Sequence, residues 1–130
     1  MSNHRAETGE WGEMQAERYL IKEKGMRILD RRWRCGHGEL DLVMRKGEVM
    51  VFVEVRVRTG ETEALSTYRS IRHKKWIILR KTAKFYLYRC PWRPRAVRFD
   101  VVGIRRTAGG KLIDVTHWEN VGRFGRNFRY

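Results

Sequence analysis

Two neighbouring segments of this sequence combine strand-like residues with carboxylates. "GELDLV" contains Glu39 and Asp41, and "VFVEVRVR" contains Glu54 followed by Arg56 and Arg58. Carboxylate oxygens are the ligands that a hard cation such as Mg²⁺ prefers. A cation held there would polarise a phosphate and activate water, and a nearby basic side chain would offset the charge that builds on phosphorus. These residue types are those that metal-assisted phosphodiester hydrolysis requires.

Side-chain alternation in "VFVEVRVR" separates its charged residues from its core residues. Successive side chains of a strand point to opposite faces. One face is therefore predicted to carry only the valines of the segment. The opposite face is predicted to carry Phe52, Glu54, Arg56 and Arg58.

A turn at "RKGE", centred on Gly47, is predicted to join the two segments as a hairpin. Asp41 and Glu54 lie nearly equidistant from the turn, so we expect them across from one another on neighbouring strands. Opposed carboxylates repel, and a divalent cation would turn that repulsion into ligation. The same alternation predicts that Leu40 and Leu42 share the face opposite Asp41.

The first predicted helix adds acidic residues to a face that also carries apolar ones. Glu13, Ala16, Glu17 and Leu20 follow the spacing of one helix face. Since Ala16 and Leu20 suggest that this face looks inward, Glu13 needs a cation or a hydrogen-bond donor. Taken alone, a salt bridge to one of the many arginines is the simpler interpretation of Glu13. Asp100 in "RFDVV" is likewise predicted to pair with an arginine.

The order of predicted elements indicates a mixed α/β domain with a hairpin meander at its centre. A helix runs from near Thr8 to Gly25, three strands and a polar loop follow, a second helix spans Ile71 to Arg89, and two strands complete the order. We predict a single domain over residues 1–121. Residues 122–130, rich in Gly, Arg and aromatic residues, are predicted to be a flexible basic and aromatic tail.

Charge is the strongest bulk property of the chain, with a net +14 and a pI near 10.6. So basic a domain favours a polyanionic partner, and nucleic acid is the leading candidate. On the second helix three lysines lie opposite the apolar face, as phosphate contacts or as a solvated face. Trp92, between basic residues, could stack on a base. The predicted nucleic-acid contacts are Arg58, Lys74, Lys81, Lys84 and Trp92.

Several other classes are disfavoured. No apolar run approaches the length of a membrane helix, and the first residues lack the apolar core of a secretion signal. No helix pairs a basic face with an exposed apolar one convincingly, which argues against a membrane-surface protein. Cys35 and Cys90 stand alone, so we expect a reducing, cytoplasmic environment.

Four blocks of the sequence resemble the YraN-like family of small, largely uncharacterised bacterial proteins. They are "GEWGEMQAERYL", "GELDLV", "VFVEVRVR" and "RFDVV", and the resemblance spans about Gly9 to Val102. That family is similar in turn to the PD-(D/E)xK nuclease superfamily, close to archaeal Holliday-junction resolvases. The resemblance implies a restriction-endonuclease-like mixed central sheet flanked by helices.

The same resemblance implies a function and assigns roles to residues. The function is Mg²⁺- or Mn²⁺-dependent cleavage of branched or structured DNA, by a homodimer if the chain behaves as resolvase-like proteins do. Glu13 would be the acid of the first helix, Asp41 the metal-binding aspartate and Glu54 the second metal ligand. Arg56 would face the scissile phosphate.

The chain departs from the superfamily pattern at Arg56, because the motif "EVK" usually ends in lysine. Arginine retains the positive charge, but a guanidinium does not lose its proton in proteins. Three functions therefore stay open. The first is a metal-dependent endonuclease, the second is a non-catalytic nucleic-acid-binding module on the same fold, and the third is a basic RNA- or ribosome-associated protein that binds through its tail.

Overall fold

A computed structural model of the chain describes residues 4–36, 38–60 and 68–121. The predicted tail, residues 122–130, lies outside this described part. Among the described residues, no helix is long and apolar enough to cross a membrane. In chain order the elements are α1 (His4–Lys24), β1 (Arg27–Cys35), β2 (Gly38–Lys46), β3 (Val49–Thr59), α2 (His73–Tyr88), β4 (Ala96–Arg106) and β5 (Leu112–Trp118).

The five strands form one open mixed sheet in the order β1-β2-β3-β4-β5. The first three strands are an antiparallel meander. Strand β4 then pairs parallel to β3, and β5 pairs antiparallel to β4. A parallel pair needs a crossover connection, and α2 lies within that connection. The predicted mixed α/β class, element order and central hairpin are confirmed.

The β2–β3 hairpin turns at Gly47 and Glu48. Lys46 pairs with Val49 across the turn, and Gly47 has a φ of 60°. Residues with a side chain rarely adopt that left-handed backbone conformation, whereas glycine adopts it without a steric penalty. Glycine therefore fixes the turn, and the turn fixes which residues of the two strands face each other.

Helix α1 covers one face of the sheet. Ala16 and Leu20 are fully buried there with Val51 and Val53 of β3. The helix begins at His4, about one turn before the predicted start near Thr8. Threonine is a good cap but also tolerates a helix interior, and Glu7 in the first turn suits the positive end of the helix dipole.

Helix α2 covers the opposite face of the sheet. Its buried residues pack around Phe52 of β3 and Phe99 of β4. The predicted apolar side of this helix is confirmed, and the three lysines on its other side are exposed. The helix residues of this cluster are Trp76, Leu79, Ala83, Tyr86 and Leu87.

The alternation predicted for β2 is wrong at one point. Leu42 lies in the cluster under α1, whereas Leu40 packs with the cluster under α2. Regular alternation would place both on one face. The strand deviates at Asp41, whose side chain bonds to the backbone of Val55 on the neighbouring strand.

Asp100 on β4 is fully buried and has several partners. Arg98 Nη2 donates to its carboxylate at 3.1 Å, and His117 Nε2 lies 2.7 Å from it. The backbone N–H of Asn120 donates to its second oxygen at 2.9 Å. The predicted pairing of Asp100 with an arginine is confirmed. The network holds β4, β5 and the segment after β5 together.

Gly12 permits the close approach of α1 to β3, which makes its replacement informative. A Cβ at this position would lie 2.3 Å from Val57 Cγ2, whereas a Cβ at Gly9 would meet only Arg32 Nη2 at 3.8 Å. We expect Gly12→Ala to lower the free energy of unfolding by about 1–3 kcal/mol through overpacking. Gly9→Ala, in the same helix, should be neutral or stabilising by up to about 1 kcal/mol. Urea denaturation of both variants tests this, and equal effects would contradict it.

Candidate metal and nucleic-acid site

The candidate site lies where β2 and β3 stop pairing. Their ladder runs from Lys46–Val49 to Leu42–Val53, so Asp41 and Glu54 occupy the next positions in register. Instead of continuing the ladder, Asp41 Oδ2 accepts a hydrogen bond of 2.9 Å from the backbone N–H of Val55. The strands separate around this carboxylate, and the opening leaves room for side chains of both helices.

Glu54 lies in this opening with a lysine that the sequence analysis did not identify. Its side chain is 5% exposed, and Lys75 Nζ of α2 lies 2.8 Å from its Oε1. Alternation along β3 correctly places Glu54 on the face covered by α2. The pairing with Lys75 depends on how α2 packs, so no spacing in the sequence indicates it.

Glu13 reaches the opening from α1. Arg32 Nε donates to Glu13 Oε2 at 2.6 Å, so the salt bridge favoured for Glu13 from the sequence is present. Carboxylate oxygens of Glu13, Glu39 and Asp41 also all lie within 4.8 Å of one another. Three carboxylates from α1 and β2 could therefore share a cation. We define the acid cluster as these three residues together with Glu54.

Two cavities of about 510 and 540 Å³ open on the acid cluster. Asp41, Glu54, Arg56 and Lys75 line both of them. Arg56 Nε is buried and has no hydrogen-bond partner among the described residues. The α1-side cavity is also lined by Thr8, Gly9, Glu13 and Arg58, and the α2-side cavity by Glu39, Ser70, Arg72, Lys74 and Ile78.

Burial and charge crowding alter the acidity of the cluster. Burial, reinforced by the neighbouring charge of Glu54, raises the pKa of Asp41 to about 8, although the Val55 N–H acts in the opposite direction. Burial also raises the pKa of Glu13, against the effect of Arg32. Ionised carboxylates are thus destabilised here in the absence of a cation. A divalent cation would offset this, and oxygen ligands suit Mg²⁺ or Mn²⁺.

The raised pKa of Asp41 predicts a pH dependence of stability in the presence of a chelator. The folded-state pKa, about 8, exceeds the ordinary value of 3.8, so the folded state binds the proton more tightly. The contribution of Asp41 to the free energy of unfolding is therefore greatest below about pH 4 and declines as the pH rises to about 8. Urea titrations across this range should show a smaller decline for Asp41→Asn. Equal slopes for both proteins would contradict the prediction.

The five predicted nucleic-acid contacts lie at different distances from the acid cluster. Arg58 and Lys74 each line one of its cavities. Lys81 and Lys84 are exposed farther along α2. Trp92 lines neither cavity, and the guanidinium of Arg45 lies 3.8 Å from the centre of its ring. One face of Trp92 is therefore covered, near the hairpin turn at the other end of β2.

Comparison with known proteins gives a consistent match over most of the chain. Residues 12–104 match the model of a family described as Uncharacterised protein family UPF0102. A UPF0102 protein of Pelotomaculum thermopropionicum is 43% identical over 92% of this chain and 98% of its own length. A UPF0102 protein of Frankia alni is 43% identical over 80% of this chain and 85% of its own. One of Moorella thermoacetica is 37% identical, with 87% and 97% covered.

Proposed function

Since the chain belongs to the uncharacterised family UPF0102, the YraN-like family, we propose that it is a metal-dependent endonuclease-like protein acting on branched or structured DNA. We also propose that the observed mixed sheet and its flanking helices have the restriction-endonuclease-like fold. It also includes a homodimer, by analogy with resolvase-like proteins. Its partner is nucleic acid because the chain carries a net +14.

One observation carries this proposal: four elements bring acids and bases together at one opening in the sheet. Glu13 comes from α1, Asp41 from β2, Glu54 and Arg56 from β3, and Lys75 from α2, and all five line the same cavity. A structural ion pair needs only two of these side chains. Clustered carboxylates with cations beside them are instead what stabilisation of a phosphodiester under attack requires.

The acid cluster fits a divalent cation. Glu13, Glu39 and Asp41 would hold it through carboxylate oxygens that lie within 4.8 Å of one another. Glu54 lies outside that group of three but lines the same two cavities as Asp41, and it would be the further metal ligand that the superfamily resemblance implies. Burial, and after it the neighbouring charge of Glu54, raises the pKa of Asp41 to about 8, and a cation ligated there would favour the ionised form of Asp41. When bound, Mg²⁺ or Mn²⁺ supplies charge for the phosphate oxygens and lowers the pKa of a water.

The two basic side chains of the site, Arg56 and Lys75, differ in chemistry. Arg56 keeps its proton and offers a fixed positive charge, which suits it to contact the scissile phosphate. Lys75 carries a compact ammonium with three hydrogen-bond donors at the end of a flexible side chain. We assign to Lys75 the role of a second positive charge beside the reacting phosphate, because its Nζ lies 2.8 Å from Glu54 Oε1 and it lines both cavities of the acid cluster. The site therefore contains a lysine ammonium although Arg56 stands where the motif has lysine.

A non-catalytic nucleic-acid-binding module is the second candidate. It is favoured by the existing partners of three of the four acids, since Glu13 pairs with Arg32, Glu39 with Arg34 and Glu54 with Lys75. These pairs neutralise charge without a metal ion. Such a module would bind nucleic acid with a strong salt dependence, would need no divalent cation, and would retain its affinity in Asp41→Asn.

A cleavage panel separates the two candidates. Labelled four-way junction, flap, duplex and single-stranded DNA would each be incubated with Mg²⁺, with Mn²⁺ or with chelator. The endonuclease predicts metal-dependent products and preferential cutting of one branched or flapped form. Binding without cutting in every metal condition would reject the endonuclease and favour the binding module.

A further inference from the structure

We infer that the exposed side of α2 binds an unpaired nucleic-acid strand that extends from the acid cluster. This inference rests on the proposed function for the nature of the substrate and narrows it to DNA in which a single strand leaves a duplex. The surface concerned is the α2 stripe, which we define as Lys74, Ile78, Lys81, Phe85 and Tyr88.

The spacing of these residues aligns them along the helix. They follow one another in alternating steps of four and three residues, which keeps them on one face at 100° per residue. At 1.5 Å per residue the stripe is about 21 Å long. Basic residues therefore alternate with an apolar one and, at the far end, give way to two aromatic rings.

The apolar residues of the stripe are unusually exposed for their size. Tyr88 is 86% exposed, Ile78 45% and Phe85 43%. Aromatic side chains on a basic surface stack with the bases of single strands, irrespective of sequence. Bases within a duplex are already stacked on one another, so exposed rings select unpaired nucleotides.

The charge of α2 points to the same partner. The helix sequence contains no Asp or Glu, and its first turn contains Lys74 and Lys75. Lys81 is exposed in the middle of the stripe. Lysines at intervals can contact successive phosphates, and the N-terminal end of the helix adds positive potential near the acid cluster.

The α2 stripe connects two cavities. Lys74 and Ile78 line the α2-side cavity of the acid cluster. At the other end Tyr88 lines a cavity of about 340 Å³ together with Trp92 and Arg93. A strand leaving the acid cluster along α2 would thus pass phosphate-binding lysines first and the aromatic rings last.

Two other partners fit the stripe less well. In a helix that lies on a membrane, basic residues occupy a separate polar face, but Lys81 lies between Ile78 and Phe85 within the stripe. A second copy of the chain packed antiparallel about a two-fold axis would place Lys81 against its own equivalent, and like charges in contact are destabilising.

Binding measurements with Tyr88 variants test the inference. Affinities for labelled oligothymidylate and for a duplex of equal length would be measured by fluorescence anisotropy in chelator, so that no cutting occurs. Tyr88→Leu should weaken single-strand binding about fivefold to a hundredfold, the range for loss of one base–aromatic stack. Duplex binding should change less than about twofold. Tyr88→Phe, which keeps the ring, and Leu112→Ala, at an exposed apolar residue of β5, should bind like the wild type.

Several results would overturn the inference. They are an absence of single-strand binding by the wild type, an unchanged affinity in Tyr88→Leu, and equal losses for single strand and duplex. If Tyr88→Leu lost binding to phosphatidylserine vesicles but kept its affinity for oligothymidylate, the partner of the α2 stripe would be a membrane surface and not a nucleic-acid strand. The binding measurements are made in chelator and do not depend on cleavage. If the panel above showed no cleavage, the endonuclease would be rejected, but the binding results would still decide whether the α2 stripe binds a single strand.

Discussion

Asp41→Asn is expected to reduce metal-dependent DNA cleavage by a factor on the order of 10² to 10³, the size of effect seen when one group that stabilises developing charge is removed. Asparagine keeps the shape and can still accept the hydrogen bond from the Val55 N–H that Asp41 accepts at 2.9 Å. It loses the negative charge that would hold the cation. Initial rates on the preferred substrate of the panel, at saturating Mg²⁺, measure the effect.

Two comparisons make the Asp41→Asn result specific. Glu17→Gln removes another carboxylate of α1, one that is paired with Arg31 and lines neither cavity of the acid cluster, so its cleavage rate should stay close to the wild-type rate. Unfolding in urea should show that Asp41→Asn is at least as stable as the wild type at neutral pH, because the buried Asp41, whose pKa is raised to about 8, must take up a proton on folding and asparagine need not. Wild-type cleavage by a well-folded Asp41→Asn would contradict the assignment of the site.

Lys75→Met is expected to produce the second largest effect, a loss of cleavage rate on the order of 10²-fold, the lower end of the range for removal of one group that stabilises developing charge. Methionine preserves much of the side-chain length but has no ammonium beside Glu54, whose carboxylate lies 2.8 Å from Lys75 Nζ. The loss should fall on kcat more than on KM if Lys75 acts at the reacting phosphate, as proposed. Steady-state kinetics on the preferred substrate separate the two constants.

The neighbouring residue provides a matched control for Lys75. Lys74→Met removes an equal charge from the same helix turn, but the proposed role of Lys74 is to bind the departing strand, so this variant should raise KM and spare kcat. Arg56→Lys should retain cleavage, because it restores the motif lysine while Lys75 remains. If Lys75→Met cut at the wild-type rate, or if Lys74→Met lost kcat equally, Lys75 would be no more than a counterion of Glu54.

Much of the fold could be predicted because local patterns and tertiary packing agree. Alternation in the segment 51–58 predicted the valines on one face and Glu54 on the other, and the structure shows this, with the valines under α1. The turn glycine set a register that brings Asp41 and Glu54 to matching positions. The apolar side of α2 followed from its helical period.

The parts that could not be predicted depend on contacts between distant segments. Leu40 lies on the α2 side of the sheet because the carboxylate of Asp41 bonds to β3 where the backbone ladder would otherwise continue. No local propensity indicates that a side-chain bond replaces a backbone bond there. Lys75 meets Glu54 only after α2 has packed on the sheet. Arg32, which binds Glu13, has a φ of 47°, a conformation that its residue type does not indicate.

A titration with Mn²⁺ tests the central claim, that the acid cluster binds a divalent cation, most directly. Isothermal calorimetry of the wild type and of Asp41→Asn, at pH 8 and without DNA, reads out the cation site independently of cleavage. The claim predicts saturable Mn²⁺ binding by the wild type, weakened at least about tenfold in Asp41→Asn because a charged oxygen ligand is lost. Identical titrations of the two proteins, or no saturable binding by the wild type, would contradict it.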